Sequence, residues 1–90
     1  MSYSTNQVVV SNAATSIISA NANRFKVRIK NNGSATIYLG SDNSVTISNG
    51  LPLIGGKEFV DTSSVTAWYG IVSSGTVASF VEEQDLTGVN

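Results

Sequence analysis

The clearest pattern along the chain is the run Arg24-Phe25-Lys26-Val27-Arg28-Ile29-Lys30, in which cationic and apolar residues alternate without a break. A period of two places Phe25, Val27 and Ile29 on one face of a strand and rejects an amphipathic helix, whose apolar positions recur every three or four residues. Asn31-Asn32-Gly33-Ser34 follows with residue types that tolerate positive φ, so Ile37-Tyr38-Leu39 is expected as the return strand of a hairpin ending at Gly40. Upstream, Gln7–Val10 and Thr15–Ile18 are β-prone runs separated by Ser11-Asn12-Ala13-Ala14. Downstream, a brief strand Ser44–Ile47 is expected to stop at Asn49-Gly50. Leu51-Pro52-Leu53 belongs at an edge or in a loop, because proline has no N–H to give to a ladder. Lys57–Val60, Val65–Val72 and Thr76–Glu82 complete the set, punctuated by Gly55-Gly56 and Ser73-Ser74-Gly75.

Six to eight short strands with turn signals every eight to twelve residues predict an all-β fold: a small antiparallel β-sandwich, jelly-roll-like, with a small β-barrel as the alternative. No stretch has a helical period. The polar ends lack any alternation, so residues 1–6 are expected as a flexible arm and 85–90 as a flexible tail around a sandwich domain spanning 7–84.

Composition narrows the class. Ninety residues make one domain, 41% hydrophobic and only 12% charged, so its polarity comes from hydroxyls and amides. A domain of this size buries about 60–65% of its unfolded surface and is thinly stable without a staple or a partner. Cysteine and histidine are both absent, which removes disulfides, thiolate sites and the commonest zinc ligands together. Partners are what remains. A net charge of −1 argues against bulk attraction to nucleic acid or anionic membrane. Met1–Gln7 has neither the basic start nor the apolar run of a signal peptide or membrane anchor.

Candidate chemistry is sparse. Without His or Cys, catalysis would need a carboxylate pair, a lysine or an activated hydroxyl. Adjacent Glu82 and Glu83 would point to opposite faces of a strand, and Asp42-Asn43-Ser44 reads as an Asx turn rather than a calcium loop. The chain is therefore read as a non-enzyme with no cofactor and no metal. Two features point to partners instead. Arg24, Lys26, Arg28 and Lys30 would form a cationic stripe about 7 Å apart, either a docking stripe for an acidic surface or a solvated face partly paired with Glu82 and Glu83. Trp68 with Val72 would lie on one face of its strand and Val65, Ala67, Tyr69 and Ile71 on the other. Both faces are apolar, so one awaits cover by a subunit, unless the strand bends or a loop such as Leu51 to Ile54 covers Trp68.

The order of motifs, Ala20-Asn21-Ala22-Asn23-Arg24, Ile29-Lys30-Asn31-Asn32-Gly33, Ile37-Tyr38-Leu39-Gly40, Val45-Thr46-Ile47-Ser48-Asn49-Gly50-Leu51-Pro52-Leu53, Trp68-Tyr69-Gly70-Ile71 and Ser74-Gly75-Thr76 running on to Val81-Glu82-Glu83, resembles the small β-sandwich virion proteins of tailed bacteriophages over roughly residues 8–83. The resemblance implies a capsid decoration or cement protein that binds and stabilises the major capsid protein shell, made in the host cytoplasm, present on the virion and assembled as a homo-oligomer, trimeric in many members. The alternative it implies is a tail or fibre accessory module that binds a receptor or carbohydrate through Tyr38, Trp68 or Tyr69. Ile54-Gly55-Gly56-Lys57 departs from the proline and glycine such proteins commonly carry there. On this reading Trp68 anchors the partner, the Arg24–Lys30 stripe orients it, and Gly33, Gly40, Gly50 and Gly75 sit in turns of positive φ.

Overall fold

A computed structural model describes residues 2–86 as eight strands in two antiparallel four-stranded sheets. In chain order they are β1 (Ser2–Ser11), β2 (Thr15–Ile18), β3 (Arg24–Asn31), β4 (Ile37–Gly40), β5 (Leu51–Leu53), β6 (Glu58–Asp61), β7 (Trp68–Ile71) and β8 (Thr76–Asp85). One sheet runs β1-β8-β3-β6 and the other β2-β7-β4-β5. This is the order of a jelly roll, in which the chain passes back and forth between the layers and the long β1 and β8 lie side by side.

The alternation in β3 predicts two residues of its inner face: Val27 and Ile29 are fully buried, packed with Val10, Ile37, Val72 and Val81 from four other segments, whereas Phe25, expected beside them, lies at a register slip, is half-buried and stands outside this cluster. The core is therefore a single aliphatic layer between the sheets, closed on one flank by Phe59 of β6 and Trp68, whose rings meet edge to face at 4.9 Å. At about 25 cal/mol per Å² of apolar surface removed from water, this layer is the main source of stability.

Several expectations are corrected. β4 is not the hairpin partner of β3: it crosses to the other sheet and pairs with β5 and β7. The turn chemistry of Asn31–Ser34 serves that crossing, with fully buried Asn31 donating to the carbonyls of Ala35 and Leu53 at 2.7 and 2.9 Å while its Oδ1 accepts from Gly33 N–H. The expected strand Ser44–Ile47 is absent: turns at 43–44 and 47–49 flank an irregular Val45-Thr46, because Asn49 Oδ1 accepts from Thr46 N–H at 2.7 Å and Gly50 N–H closes back on the Thr46 carbonyl. Residues 2–6, expected as an arm, are the first half of β1 and lie in unbroken register with β8 from Ser2↔Asp85 onward. Asp85 likewise ends β8 and Leu86 N–H bonds the Asn23 carbonyl; the remainder of the expected tail, 87–90, lies outside the described residues. Finally, of the four turn glycines only Gly75 has positive φ, at 70°. At Gly40 the requirement is space: a Cβ there would stand 2.7 Å from Val45 Cβ.

Candidate functional site

A β-bulge decides which cations share a face. Between Arg24 and Lys26 the register of β3 against β8 slips, Arg24 standing opposite Asp85 and Lys26 opposite Gln84. The extra residue turns Arg24 inward, against the stripe expected from strict alternation. Arg24 is 5% exposed. Its Nε donates to Glu83 Oε2 at 2.8 Å, Nη1 to the Thr66 carbonyl at 2.5 Å and Nη2 to the Ser19 carbonyl at 2.7 Å. Three fixed partners satisfy the buried guanidinium and tie β8 to the segments flanking β2 and β7. Beside it Asn21 Nδ2 donates to Asp85 Oδ2 at 2.7 Å, so this end of the sandwich is closed by a polar clamp. Arg24 is buried within the fold, off the outer cationic face.

Lys26, Arg28 and Lys30 do share the outer face of the β1-β8-β3-β6 sheet. Across the strands they fall into rows: Tyr3, Gln84 and Lys26; Thr5, Glu82, Arg28 and Val60; Gln7, Phe80, Lys30 and Glu58. Glu82 sits at the centre and is 6% exposed although its face of the sheet is the outer one. Tyr3 Oη donates to Glu82 Oε2 at 2.6 Å and Arg28 Nη2 to the same oxygen at 3.1 Å. Arg28 Nη1 also reaches Glu58 Oε2 at 3.4 Å, and the guanidinium stands 5.9 Å from the centre of the Phe80 ring.

The Tyr3 hydroxyl holds the Glu82 carboxyl below the ordinary 4.5, helped by the charges of Arg28 and Lys26 and opposed by burial. Reciprocally, the bond to Glu82 raises the Tyr3 phenol above 10.0. The Arg28–Glu82 pair matches the expected pairing with a neighbouring strand, while Glu83 pairs on the other side of the sheet, with Arg24. Lys26 and Lys30 make no salt bridge among the described residues. Tyr3, Val9 and Val60 are 60%, 62% and 45% exposed on this same face. The result is an open sheet face with one ion-paired arginine, two lysines outside any salt bridge among the described residues and three exposed apolar side chains.

Trp68 lies elsewhere. With Gly70 and Val72 it points into the sandwich, where its ring meets that of Phe59; its indole Nε1 is buried without a hydrogen-bond partner. It is half-buried, packed against the core cluster. Tyr69 and Ile71 take the outer face of the second sheet, beside Tyr38. The Asx turn is present: Ser44 N–H and Oγ both donate to Asp42 Oδ1, at 2.9 and 2.5 Å, and lower the Asp42 pKa.

Sequence reasoning misses two features. Tyr3 falls in the segment expected as an arm, and the only signal against that is its odd-numbered spacing with Thr5, Gln7 and Val9. The second is an apolar groove between β5 and β6, lined by Leu51, Pro52, Ile54 and Phe59, with Leu51 and Ile54 at 50% and 59% exposure. Among the described residues no group of three acidic side chains stands close enough to hold a metal ion, and no helix is long and apolar enough to cross a membrane. No protein-family model matches the chain, and no curated protein matches it in sequence.

Proposed function

We propose that the chain is a non-enzymatic virion structural protein of a tailed bacteriophage, a decoration protein that binds the major capsid protein shell through the outer face of the β1-β8-β3-β6 sheet. The observation that carries this reading is the composition of that face. Exposed Tyr3, Val9 and Val60 share that face with Arg28, which pairs with Glu82 and Glu58 beside the Phe80 ring. Aromatic and apolar side chains around a pre-positioned arginine are the make-up of a protein-binding patch, because little side-chain entropy is lost on contact. Lys26 and Lys30 add two cations that steer the face toward an acidic partner. The jelly-roll order supports the reading by analogy, since that architecture recurs in viral capsid and lectin domains. Repetition on a shell would turn a modest single contact into firm attachment through effective concentration.

Cosedimentation of the purified chain with capsids stripped of accessory proteins tests this. The expected result is binding that weakens as salt rises and is lost in a Lys26→Glu/Lys30→Glu variant that remains folded. Binding unaffected by that reversal, or none at all, contradicts the proposal.

One observation favours a second reading, a tail or fibre module for a carbohydrate. Tyr38 and Tyr69 share the outer face of the second sheet, and Tyr69 stands opposite Gly40, whose loop carries Asp42, Ser44 and Asn49 around a shallow polar pocket. An aromatic platform beside carboxylate and amide groups suits a sugar ring. Glycan-array binding lost on Tyr69→Ala would favour this reading over the first.

A further inference from the structure

The two sheets have four edges, and three of them carry devices that discourage pairing with another chain. β5 is three residues long and contains Pro52. β6 has four residues and is bounded by Glu58 and Asp61. β2 has four residues and a register irregularity between Ser16 and Ile18. β1 carries none of these. It is ten residues long, regular along its whole ladder with β8, and has no charged residue and no proline; among the described residues β8 is its only strand partner.

An unprotected edge of this length is a template for a second strand, and the sequence of β1 suits itself. Pairing in a continuous antiparallel sheet must keep each face with its like, so the residue numbers across a two-fold axis must sum to an even number. An axis through Asn6 sets Tyr3 opposite Val9 of the second copy and Thr5 opposite Gln7, with each contact made twice. Tyr3 and Val9 are two of the most exposed large apolar side chains of the fold, both on the outer face, and this register sets each beside the other across the seam while both stay on that face. An axis through Gln7 would instead set Tyr3 against Ser11, where the chain already turns into β2 through Ser11 N–H and Thr15 Oγ1. With no charge on β1, the two-fold brings no like charges together.

We propose that β1 pairs antiparallel with β1 of a second copy of this chain about a two-fold axis at Asn6, joining two four-stranded sheets into one of eight strands. The dimer presents two outer faces side by side and does not depend on what those faces bind.

Paired residues in an antiparallel ladder have Cα atoms about 4.5–5.5 Å apart, within disulfide reach, and the native chain has no cysteine. Asn6→Cys is therefore expected to form a disulfide-linked dimer under mild oxidation, while Gln7→Cys, displaced two positions from its own copy, does so far more slowly. In sedimentation equilibrium the unmodified chain approaches twice its monomer mass as concentration rises. Thr5→Lys/Gln7→Lys opposes like charges and is expected to remain monomeric. Thr5→Lys/Gln7→Glu opposes unlike charges and is expected to dimerise again. A monomer at every concentration, a threefold mass, a dimer that survives the double lysine variant, or equal cross-linking at positions 6 and 7 would each overturn the proposal.

Discussion

Arg24 and Arg28 lie on one strand at even spacing, yet they occupy opposite sides of the sheet and do different work. Arg24 is enclosed between the layers, each of its nitrogens answered by a fixed acceptor. Arg28 lies on the outer face with its side chain 35% exposed, shares Glu82 with Tyr3, and leaves its Nε without a partner. One inserted residue separates them: the bulge after Arg24 reverses the facing of the residue before it and leaves Lys26, Arg28 and Lys30 untouched. An identical residue type is thus a structural clamp at one position and a surface contact four residues on.

The widest gap between the two should appear on truncation. Arg24→Met leaves Glu83 and two carbonyls unanswered in the interior, so a loss of about 3–5 kcal/mol is expected in urea unfolding. That is much of the margin of so small a domain. Adding Glu83→Met removes the stranded carboxylate and should recover part of the loss. Arg28→Ala, by contrast, should lower stability by about 1 kcal/mol or less, because its side chain is 35% exposed and Glu82 keeps the hydrogen bond from Tyr3 when it is removed, while weakening the proposed attachment to a shell. A loss at Arg28 equal to that at Arg24 would erase the distinction between clamp and contact.

The smallest expected effect is in acid. Glu82 titrates below its unfolded value because Tyr3 donates to its ionised form. Its contribution is complete above the unfolded pKa and disappears as pH falls through the depressed folded value. Tyr3→Phe should therefore be less stable than the native chain near neutrality and converge with it in acid, and its acid-unfolding midpoint should move to higher pH. At the alkaline end the sign reverses: the raised Tyr3 pKa means that the native chain loses this contribution as pH climbs through the folded value, whereas the Tyr3→Phe variant has no phenol at position 3 and no such contribution to lose. Parallel acid curves for the two proteins would show that the hydrogen bond contributes nothing to stability.

The readable parts of the sequence are those whose pattern is local. The period of two in β3 names Val27 and Ile29 as core, and Pro52 names β5 as an edge. The bulge is hidden because it depends on the register of β8, some sixty residues away. The first half of β1 is hidden because it runs past the cover of the other sheet: Ser4 and Asn6 face inward yet remain exposed, so no apolar residue marks the period. The crossing from β3 to β4 carries the same turn residues as a hairpin, and only Asn31, reaching to Leu53, distinguishes it. Of the candidate site, the cations at 26, 28 and 30 are legible in alternation. Tyr3 and Phe80 are not, since sheet neighbours far apart in sequence bring them there.

The most direct test of the proposed role is an image, at subnanometre resolution, of tailed-phage particles carrying this chain. Density for the sandwich is expected on the outside of the capsid, with the face bearing Tyr3, Arg28 and Val60 turned toward the shell. Density confined to the tail, or a sandwich seated with that face open to solvent, would contradict the proposed role.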